Sequence, residues 1–191
     1  MLRKLSSITT IVSGYSFRGA VPFDAFGNCF AAQVKDIDED GWIDHSCLTP
    51  IQEDVIRTDA FLQKNDVLLA TRGTDVGGLK VGLYTDEDKK VIATSSLYVL
   101  RVTDASILQE YLLYYLKSFY GQHALKSMMK GATVQTISKK DLASLDIPIP
   151  PKTRQQLIID TMNNLIDQKR LHVKKIYLLQ TLADNIMATQ A

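Results

Sequence analysis

The feature that most constrains this chain is a change of composition at a proline-rich junction near residue 150. Residues 145–149 alternate apolar and other side chains, as a short strand does. Pro148 and Pro150 remove backbone donors, so this strand must lie at a sheet edge or leave the sheet. From residue 152 to 191 there is neither glycine nor proline. The junction therefore predicts a continuous helix after a region of different character.

The segment after the junction carries a heptad pattern. One seam of alternating four- and three-residue steps consists of Ile158, Met162, Leu165, Lys169, His172, Ile176, Leu179, Ala183 and Ile186. A helix over residues 153–188 would be about 54 Å long. A domain of this size cannot cover that length, so the helix needs a partner helix. The predicted dimer interface is formed by Ile158, Met162, Leu165, His172, Ile176, Leu179 and Ile186. The seam centre, at Lys169, is expected to be solvated or paired with Asp167.

The region before the junction is predicted to be an α+β globular domain, because its strands come first and its helices later. Strands are expected at 30–34, 41–43, 67–71 and 80–84, and 91–102 is expected to be a strand pair or one long strand. A short helix or turn is expected at 2–13 and a helical turn at 59–63. An amphipathic helix follows, with Asp104 as N-cap and a capping box at Ser106 and Gln109. Gly121 is expected to interrupt it before a second helix at 123–129. The chain is therefore predicted to have two parts. Residues 1–151 form a domain of mixed sheet and helices, and residues 152–191 form one long coiled-coil helix.

Composition narrows the class of protein. A hydrophobic fraction of 46% and a charged fraction of 23% are typical of a globular chain. No apolar run approaches membrane-spanning length and the first residues do not resemble a signal peptide, so no membrane is expected. Two cysteines favour a reducing, cytoplasmic compartment. Residues 151–191 hold six basic and three acidic residues, which leaves 16 against 18 in the rest. Nucleic-acid binding must therefore depend on local patches.

Several segments resemble one known family. The specificity subunit of type I restriction-modification systems contains target recognition domains, and the end of such a domain is similar to one part of this chain. The similar residues are Gly131, 135–138, 147–151, Gln155 and Gln156. Residues 2–17 resemble the opening of that subunit, and 66–73 resemble its central segment. The junction at 147–155 is the most specific part. This chain has room for one recognition domain and one helix, whereas the family usually has two of each. The sequence leaves open whether the chain is a half-length subunit or part of a longer one.

The resemblance implies a fold and a function. It implies a DNA target recognition domain followed by a spacer helix, with no catalytic chemistry and no cofactor. The implied partners are double-stranded DNA, the methyltransferase (modification) subunits of a restriction-modification system and, as a further partner, its restriction/translocase subunit. The recognition domain would read one half-site. Two chains would form a homodimer through their helices, because the family pairs its two helices antiparallel.

Two clusters of residues are candidates for DNA contact. The segment 117–140 contains five lysines and no acidic residue, with aromatic side chains among them. Arg72 follows a predicted buried strand, with Lys80 nearby in sequence. Lysines neutralise phosphates, whereas arginine, glutamine and threonine read base edges. The predicted DNA-binding residues are Arg72, Thr74, Lys80, Lys126, Lys130, Thr133 and Gln135. A solvated helical face, or an Arg72–Asp75 pair, explains the same residues without DNA.

Other chemistries fit less well. Asp36, Asp38 and Asp40 begin a calcium-loop pattern, but Cys47 stands where glutamate is needed, so a solvated hairpin turn is expected. The glycine-rich segment 73–80 leads into a strand rather than the helix that a phosphate loop requires. No metal site is predicted. A small metal-dependent nuclease using Asp75, Glu87 and Lys89, and a coiled-coil interaction protein that does not read DNA, remain the alternatives.

Overall fold

The folded core is built around a four-stranded antiparallel sheet. A computed structural model describes residues 1–56, 61–73, 78–131 and 134–188. The strands are β1 (Leu2–Lys4), β2 (Thr9–Ser13), β3 (Cys29–Ala32), β4 (Thr49–Ile51), β5 (Val67–Ala70), β6 (Arg72–Gly73), β7 (Val81–Leu83), β8 (Val91–Ala93), β9 (Leu97–Val102), β10 (Gln135–Thr136) and β11 (Asp146–Pro148). The helices are α1 (Gln109–Lys117), α2 (Phe119–Met128), α3 (Lys139–Ala143) and α4 (Lys152–Ala188).

The central sheet has the strand order β2-β9-β5-β7 and is buried on both faces. Because side chains alternate along a strand, Val67 and Leu69 point to one face and Leu68 to the other. Val67 and Leu69 join the core cluster that includes the helices, whereas Leu68 joins the cluster beneath β3 and β8. The molecule thus has three layers, and burial on both faces explains why β5 is a continuous apolar run.

Three smaller sheets surround the central one. Strands β4, β3 and β8 form a mixed sheet in which β3 is parallel to β8 and antiparallel to β4. Strand β11 pairs antiparallel with β1, and β10 pairs antiparallel with β6. The proline-containing strand therefore lies in a two-stranded edge ribbon, as its composition predicts. Both ribbons join segments that are distant in sequence.

The α+β class and the long final helix are confirmed, but the prediction for residues 2–13 is wrong. Residues 2–13 form β1 and β2 with a short 3-10 turn between them, because β11 and β9 supply pairing partners that sequence patterns do not show. The stretch 91–102 forms the strand pair that is one of the two expected arrangements, and its strands β8 and β9 belong to different sheets. Residues 59 and 60 of the predicted helical turn at 59–63 lie outside the described part of the chain, and Phe61 forms a β-bridge with Ile92.

The predicted helix caps and helix break at residues 104–121 are also wrong. The first helix begins at Gln109 with Leu108 as its N-cap, so neither Asp104 nor Ser106 caps it. Asp104 instead accepts a hydrogen bond from the Ser106 amide within the preceding turn. The break between α1 and α2 lies at Ser118, whose hydroxyl caps α2 by accepting from the Gly121 amide. A Cβ at Gly121 would lie 2.0 Å from the Tyr115 carbonyl oxygen, so glycine permits the close turn without ending the helix.

The long helix is anchored by one fully buried amide side chain. Gln155 Oε1 accepts from the Leu108 amide at 2.9 Å. Its Nε2 donates to the carbonyls of Ser106 and Pro150, both at 2.8 Å. Ile159 and Ile166 follow on the same side and are buried in the domain core. The first half of α4 is therefore part of the globular fold.

The second half of α4 leaves the domain. Every residue from 171 to 188 is exposed, and the large apolar side chains there are Leu171, Val173, Ile176, Tyr177, Leu178, Leu179, Leu182, Ile186 and Met187. In the predicted seam, Ile158 and Met162 are half-buried against the domain, whereas Leu165, Ile176, Leu179 and Ile186 are between 52% and 57% exposed. None of the helices in the described ranges is long and apolar enough to cross a membrane.

The Gln155 anchor leads to a stability prediction. We expect Gln155→Leu to lower the free energy of unfolding by about 2–4 kcal/mol, because three hydrogen bonds from a fully buried side chain to part-buried backbone groups are lost. Gln156→Leu is the matched control: the residue is exposed, and the change should cost less than about 0.5 kcal/mol. Denaturant unfolding measures both. Equal losses for the two variants would contradict the anchoring role.

Candidate nucleic-acid interface

A small ribbon brings together residues that are far apart in sequence. In the β6–β10 pair, Arg72 lies directly opposite Thr136. On the other side of β10, Thr136 pairs with Lys130 through two backbone hydrogen bonds of 2.9 Å. Residues directly opposite each other in antiparallel pairs share one face, with Cβ atoms about 5 Å apart. Arg72, Thr136 and Lys130 therefore form one row of side chains, which we call the cationic row.

All three residues of the cationic row are exposed. Gln135, the other predicted base-reading residue, lies opposite Gly73 and is half-buried. Because neighbouring residues in a strand face opposite ways, Gln135 points away from the row. The sequence patterns missed Thr136 as a neighbour of Arg72, since only the strand register reveals it.

One side chain holds this ribbon directly, and a second holds the backbone beside it at Leu79. The Tyr98 hydroxyl, on the central sheet, donates to the Ile137 carbonyl at 3.1 Å, and burial raises the pKa of Tyr98. Gln122, on α2, pairs with the Leu79 backbone: its Oε1 accepts from the amide at 2.9 Å and its Nε2 donates to the carbonyl at 3.0 Å. The ribbon and the return of the chain after residue 77 are thus fixed to rigid elements.

Gly73 and Gly78 lie close together. A Cβ at Gly73 would lie 2.8 Å from the Gly78 carbonyl oxygen. Gly78 has a φ of +67°, and a Cβ there would lie 2.2 Å from Gln122 Oε1 and 3.8 Å from Lys126 Cε. Lys126 therefore lies beside Gly78. Thr74 and Asp75 lie outside the described residues, as does Thr133.

The predicted lysines differ in their surroundings. The Lys130 ammonium is 3.0 Å from Asp141 Oδ2 and its side chain is 78% exposed. The hydrogen bonds from Lys130 and Ser138 hold the pKa of Asp141 below its ordinary value. Lys80 has other neighbours: its ammonium donates to the Ile37 carbonyl at 2.8 Å. Arg72 therefore shares a row of side chains with Lys130, and Lys80 lies elsewhere.

Exposed aromatic side chains lie at the start of α2. Phe119 and Tyr120 are 79% and 76% exposed, and Phe119 stacks on His123 with ring centroids 6.2 Å apart. These residues precede Gln122 and Lys126 on the same helix. Phe119 lies three residues before Gln122 and seven before Lys126, so it shares a helix face with these two side chains.

The acidic residues form separate structural contacts. Asp36 is buried, and Asp38 Oδ1 accepts from the amides of Gly41 and Trp42. Asp40 pairs with Lys169 and Arg170 on α4. The predicted hairpin turn is present, and Asp38 and Glu39 are exposed, but the turn is only partly solvated because Asp36 is buried and Asp40 pairs with the long helix. Lys169 pairs with Asp40 rather than Asp167.

Glu87 and Lys89, from the nuclease alternative, also have separate neighbours. Glu87 is 2.6 Å from Lys64, and the Lys89 ammonium lies over the Phe30 ring. Within the described ranges, no group of three or more histidine, cysteine, aspartate or glutamate side chains is placed to hold a metal ion.

Comparison with known proteins identifies the family. The profile of the type I restriction modification DNA specificity domain matches residues 51–180, which is more than half of the chain. The chain therefore belongs to the type I restriction modification DNA specificity domain family. It is similar to the specificity subunit of the type I restriction enzyme MjaVIII from Methanocaldococcus jannaschii, with 29% identity over 115 residues. That match covers 59% of this chain and 25% of the relative.

Solved structures show the same fold. The HsdS subunit from Thermoanaerobacter tengcongensis superposes with a TM-score of 0.61 and 23% identity, over 88% of this chain and 37% of that one. A chain from a type I restriction-modification system, studied for complex assembly and conformational transition, gives a TM-score of 0.65 at 23% identity, over 88% and 38%. This chain thus spans less than two-fifths of the length of these relatives.

The close approach of Gly78 to Gln122 leads to a second prediction. We expect Gly78→Ala to lower the free energy of unfolding by roughly 1–2 kcal/mol more than Gly19→Ala, because Gln122 must give up its bonds to Leu79. Gly19 is the control: its φ is +107°, but no atom lies within 4 Å of an added Cβ, so only backbone strain is introduced. Urea unfolding of both variants measures the difference. Similar losses would show that the Gln122 contact contributes little.

Proposed function

We propose that this chain is a DNA sequence-recognition module of a type I restriction-modification specificity subunit. The observation that carries the proposal is the cationic row, Arg72, Thr136 and Lys130, exposed on a ribbon held by Tyr98 beside a Leu79 backbone held by Gln122. Arginine contacts guanine with two hydrogen bonds and threonine bonds to bases or packs on the thymine methyl group. A rigid ribbon that presents both side chains together suits direct reading of base edges.

The lysines of α2 and its C-terminal end supply the phosphate contacts in this proposal. Lys130 lies at the edge of the row, and Lys126 lies beside Gly78. Asp141 serves as the counterion of Lys130 without DNA, and a phosphate would compete with it. The exposed Phe119 and Tyr120 would extend the contact along the same helix.

We further propose that the chain contributes recognition rather than catalysis. Its family places it in a specificity subunit, and such a subunit must act with partners that modify or cut DNA. The proposed partners are double-stranded DNA, methyltransferase subunits and a restriction/translocase subunit. The domains in this proposal are 1–151 for recognition and 152–191 for spacing and assembly, in a cytoplasmic complex.

A homodimer is the proposed assembly. The apolar seam residues Ile176, Leu179 and Ile186 are more than half exposed beyond the domain. Burying each large side chain contributes about 1.5–3 kcal/mol. A heptad seam is complementary to a second copy of itself, so two chains related by a two-fold axis cover each other. Such a dimer presents two recognition domains to two half-sites in opposite orientation.

The DNA proposal is tested by separating base reading from phosphate binding. We expect Arg72→Ala to reduce discrimination between cognate and altered half-sites by about 1–3 kcal/mol at one base position. We expect Lys126→Ala with Lys130→Ala to weaken binding to all sequences and to flatten its dependence on salt. Fluorescence anisotropy with duplexes from a random-library selection measures both effects.

The control variants remove the same number of positive charges at positions away from the ribbon. Arg154→Ala matches the first variant, and Lys64→Ala with Lys89→Ala matches the second. These control lysines contact Glu87 and Phe30 rather than the ribbon. If the ribbon variants and their controls bind DNA alike, the cationic row is not the interface. If the assembled complex shows no selective binding to any DNA sequence, the result favours the alternative of a coiled-coil interaction protein that does not read DNA. Magnesium-dependent cleavage by the purified chain that Glu87→Ala abolishes would instead favour the nuclease.

The dimer proposal predicts a change of mass for a seam variant. We expect the wild-type chain to be a dimer at micromolar concentration and Ile176→Asp with Leu179→Asp to be a monomer, because both remove apolar contact and add like charges. Gln180→Asp changes an exposed residue off the seam and should remain dimeric. Multi-angle light scattering distinguishes these outcomes, and a monomeric wild type would overturn the proposal.

A further inference from the structure

The contacts of α4 with its own domain follow one stripe and then end. Gln155, Ile159 and Ile166 are buried, and Asn163 between them accepts a hydrogen bond from the Tyr114 hydroxyl. The stripe ends at Lys169 and Arg170. Lys169 Nζ lies 3.2 Å from Asp40 Oδ1, and Arg170 Nε lies 3.3 Å from Asp40 Oδ2. Beyond them, every residue described up to 188 is exposed. The Asp40 contact is therefore at the point where the helix leaves the domain.

The turn that carries Asp40 is itself firmly attached to the domain. The half-buried Lys117 donates from its ammonium to the Glu39 carbonyl at 2.9 Å, and burial lowers the pKa of Lys117. Gly41 has a φ of +94°, and its carbonyl accepts from the Leu83 amide on the central sheet at 2.9 Å. A carboxylate on such a turn is a fixed point against which a helix can be held.

We propose that Asp40 is a positioning residue that sets the direction in which the long helix leaves the recognition domain. In the dimer of the proposed function, on which this second part rests, that direction fixes the distance between the two DNA-reading ribbons. Asp40 would thereby determine how many base pairs separate the two half-sites. The chemistry is electrostatic: one carboxylate joins two neighbouring cations on successive residues of the helix.

The geometry explains how a modest contact can have this effect. A lone exposed ion pair contributes little to stability, but the Asp40 side chain is only 16% exposed and is shared by two cations. Burial opposes ionisation, yet the hydrogen bond and charge of Lys169, with the charge of Arg170, keep the pKa of Asp40 below its ordinary value. The 18 residues beyond Arg170 span about 27 Å, so a tilt of about 10° moves the helix end by about 5 Å. One base pair rises about 3.4 Å.

The direct test is an intramolecular distance. Cys47 is exposed and Cys29 is buried, so a spin label attaches to Cys47 on the domain. A second label is placed with Gln180→Cys on the exposed helix. Diluting the labelled chain in excess unlabelled chain isolates the distance within one chain, whether or not it dimerises. We expect a narrow distribution for this labelled parent, and for Asp40→Asn a distribution broadened or shifted by about 5 Å.

Two variants and one condition make this test specific. Glu39→Gln removes the same charge from a neighbour that is 91% exposed and 3.6 Å from Lys169, and it should leave the distribution narrow. Lys169→Gln with Arg170→Gln changes half-exposed side chains on the helix and should reproduce Asp40→Asn. Raising salt to about 1 M should broaden the parent distribution. An unchanged distribution in both Asp40→Asn and the helix double variant overturns the proposal.

The DNA consequence is measured separately. The selected half-sites are placed in duplexes at increasing separations, and binding is measured at each gap. We expect the wild type to bind one gap at least tenfold better than gaps one pair longer or shorter, and Asp40→Asn to reduce that preference severalfold. If the distance responds but no DNA is bound selectively, the proposed function fails and the positioning role stands. If DNA is bound with the same gap preference in both proteins, Asp40 does not set the spacing.

Discussion

The interaction on which the rest of this structure depends is the burial of the Gln155 side chain. One amide satisfies three backbone groups, from Leu108 before α1 and from Ser106 and Pro150 in the adjoining loops. Buried polar groups without partners are costly, so these segments can approach each other only because the amide lies between them. The end of the edge ribbon, the start of α1 and the first turn of α4 are thereby held together. A long helix becomes part of a small domain at this point.

The candidate interface also depends on side chains that hydrogen-bond to the backbone of another segment. A two-residue strand pair such as β6–β10 has too few hydrogen bonds to be stable alone. The Tyr98 hydroxyl ties the end of β10 to the central sheet, and the Gln122 amide ties the backbone of Leu79, which lies beside Gly73, to α2. The ribbon can therefore lie at the surface, where nucleic acid can reach it, without losing a defined geometry. Binding residues carried on edges and supported by a rigid core are a general solution for recognition.

The long helix divides according to what it contacts. Its first half follows the domain from Gln155 to Arg170, and its second half presents apolar side chains to solvent. A single heptad pattern thus serves two surfaces, since Ile158 and Met162 pack partly on the domain while Leu179 and Ile186 do not. The acidic turn at residues 39–40 lies at the boundary between these halves, so one surface feature links the recognition domain to the assembly region.

The sequence by itself determined the elements whose signals are local. Prolines and the absence of glycine located the edge strand and the start of α4, and a continuous apolar run located β5. Arg72 and Lys130 were chosen by charge and neighbouring residue types. Only the tertiary structure decided that they lie in one row with Thr136, because strand register between segments 58 or more residues apart leaves no local pattern. The same reason explains the strands at residues 2–13 and the pairing of Asp40 with α4: long-range contacts override local preference.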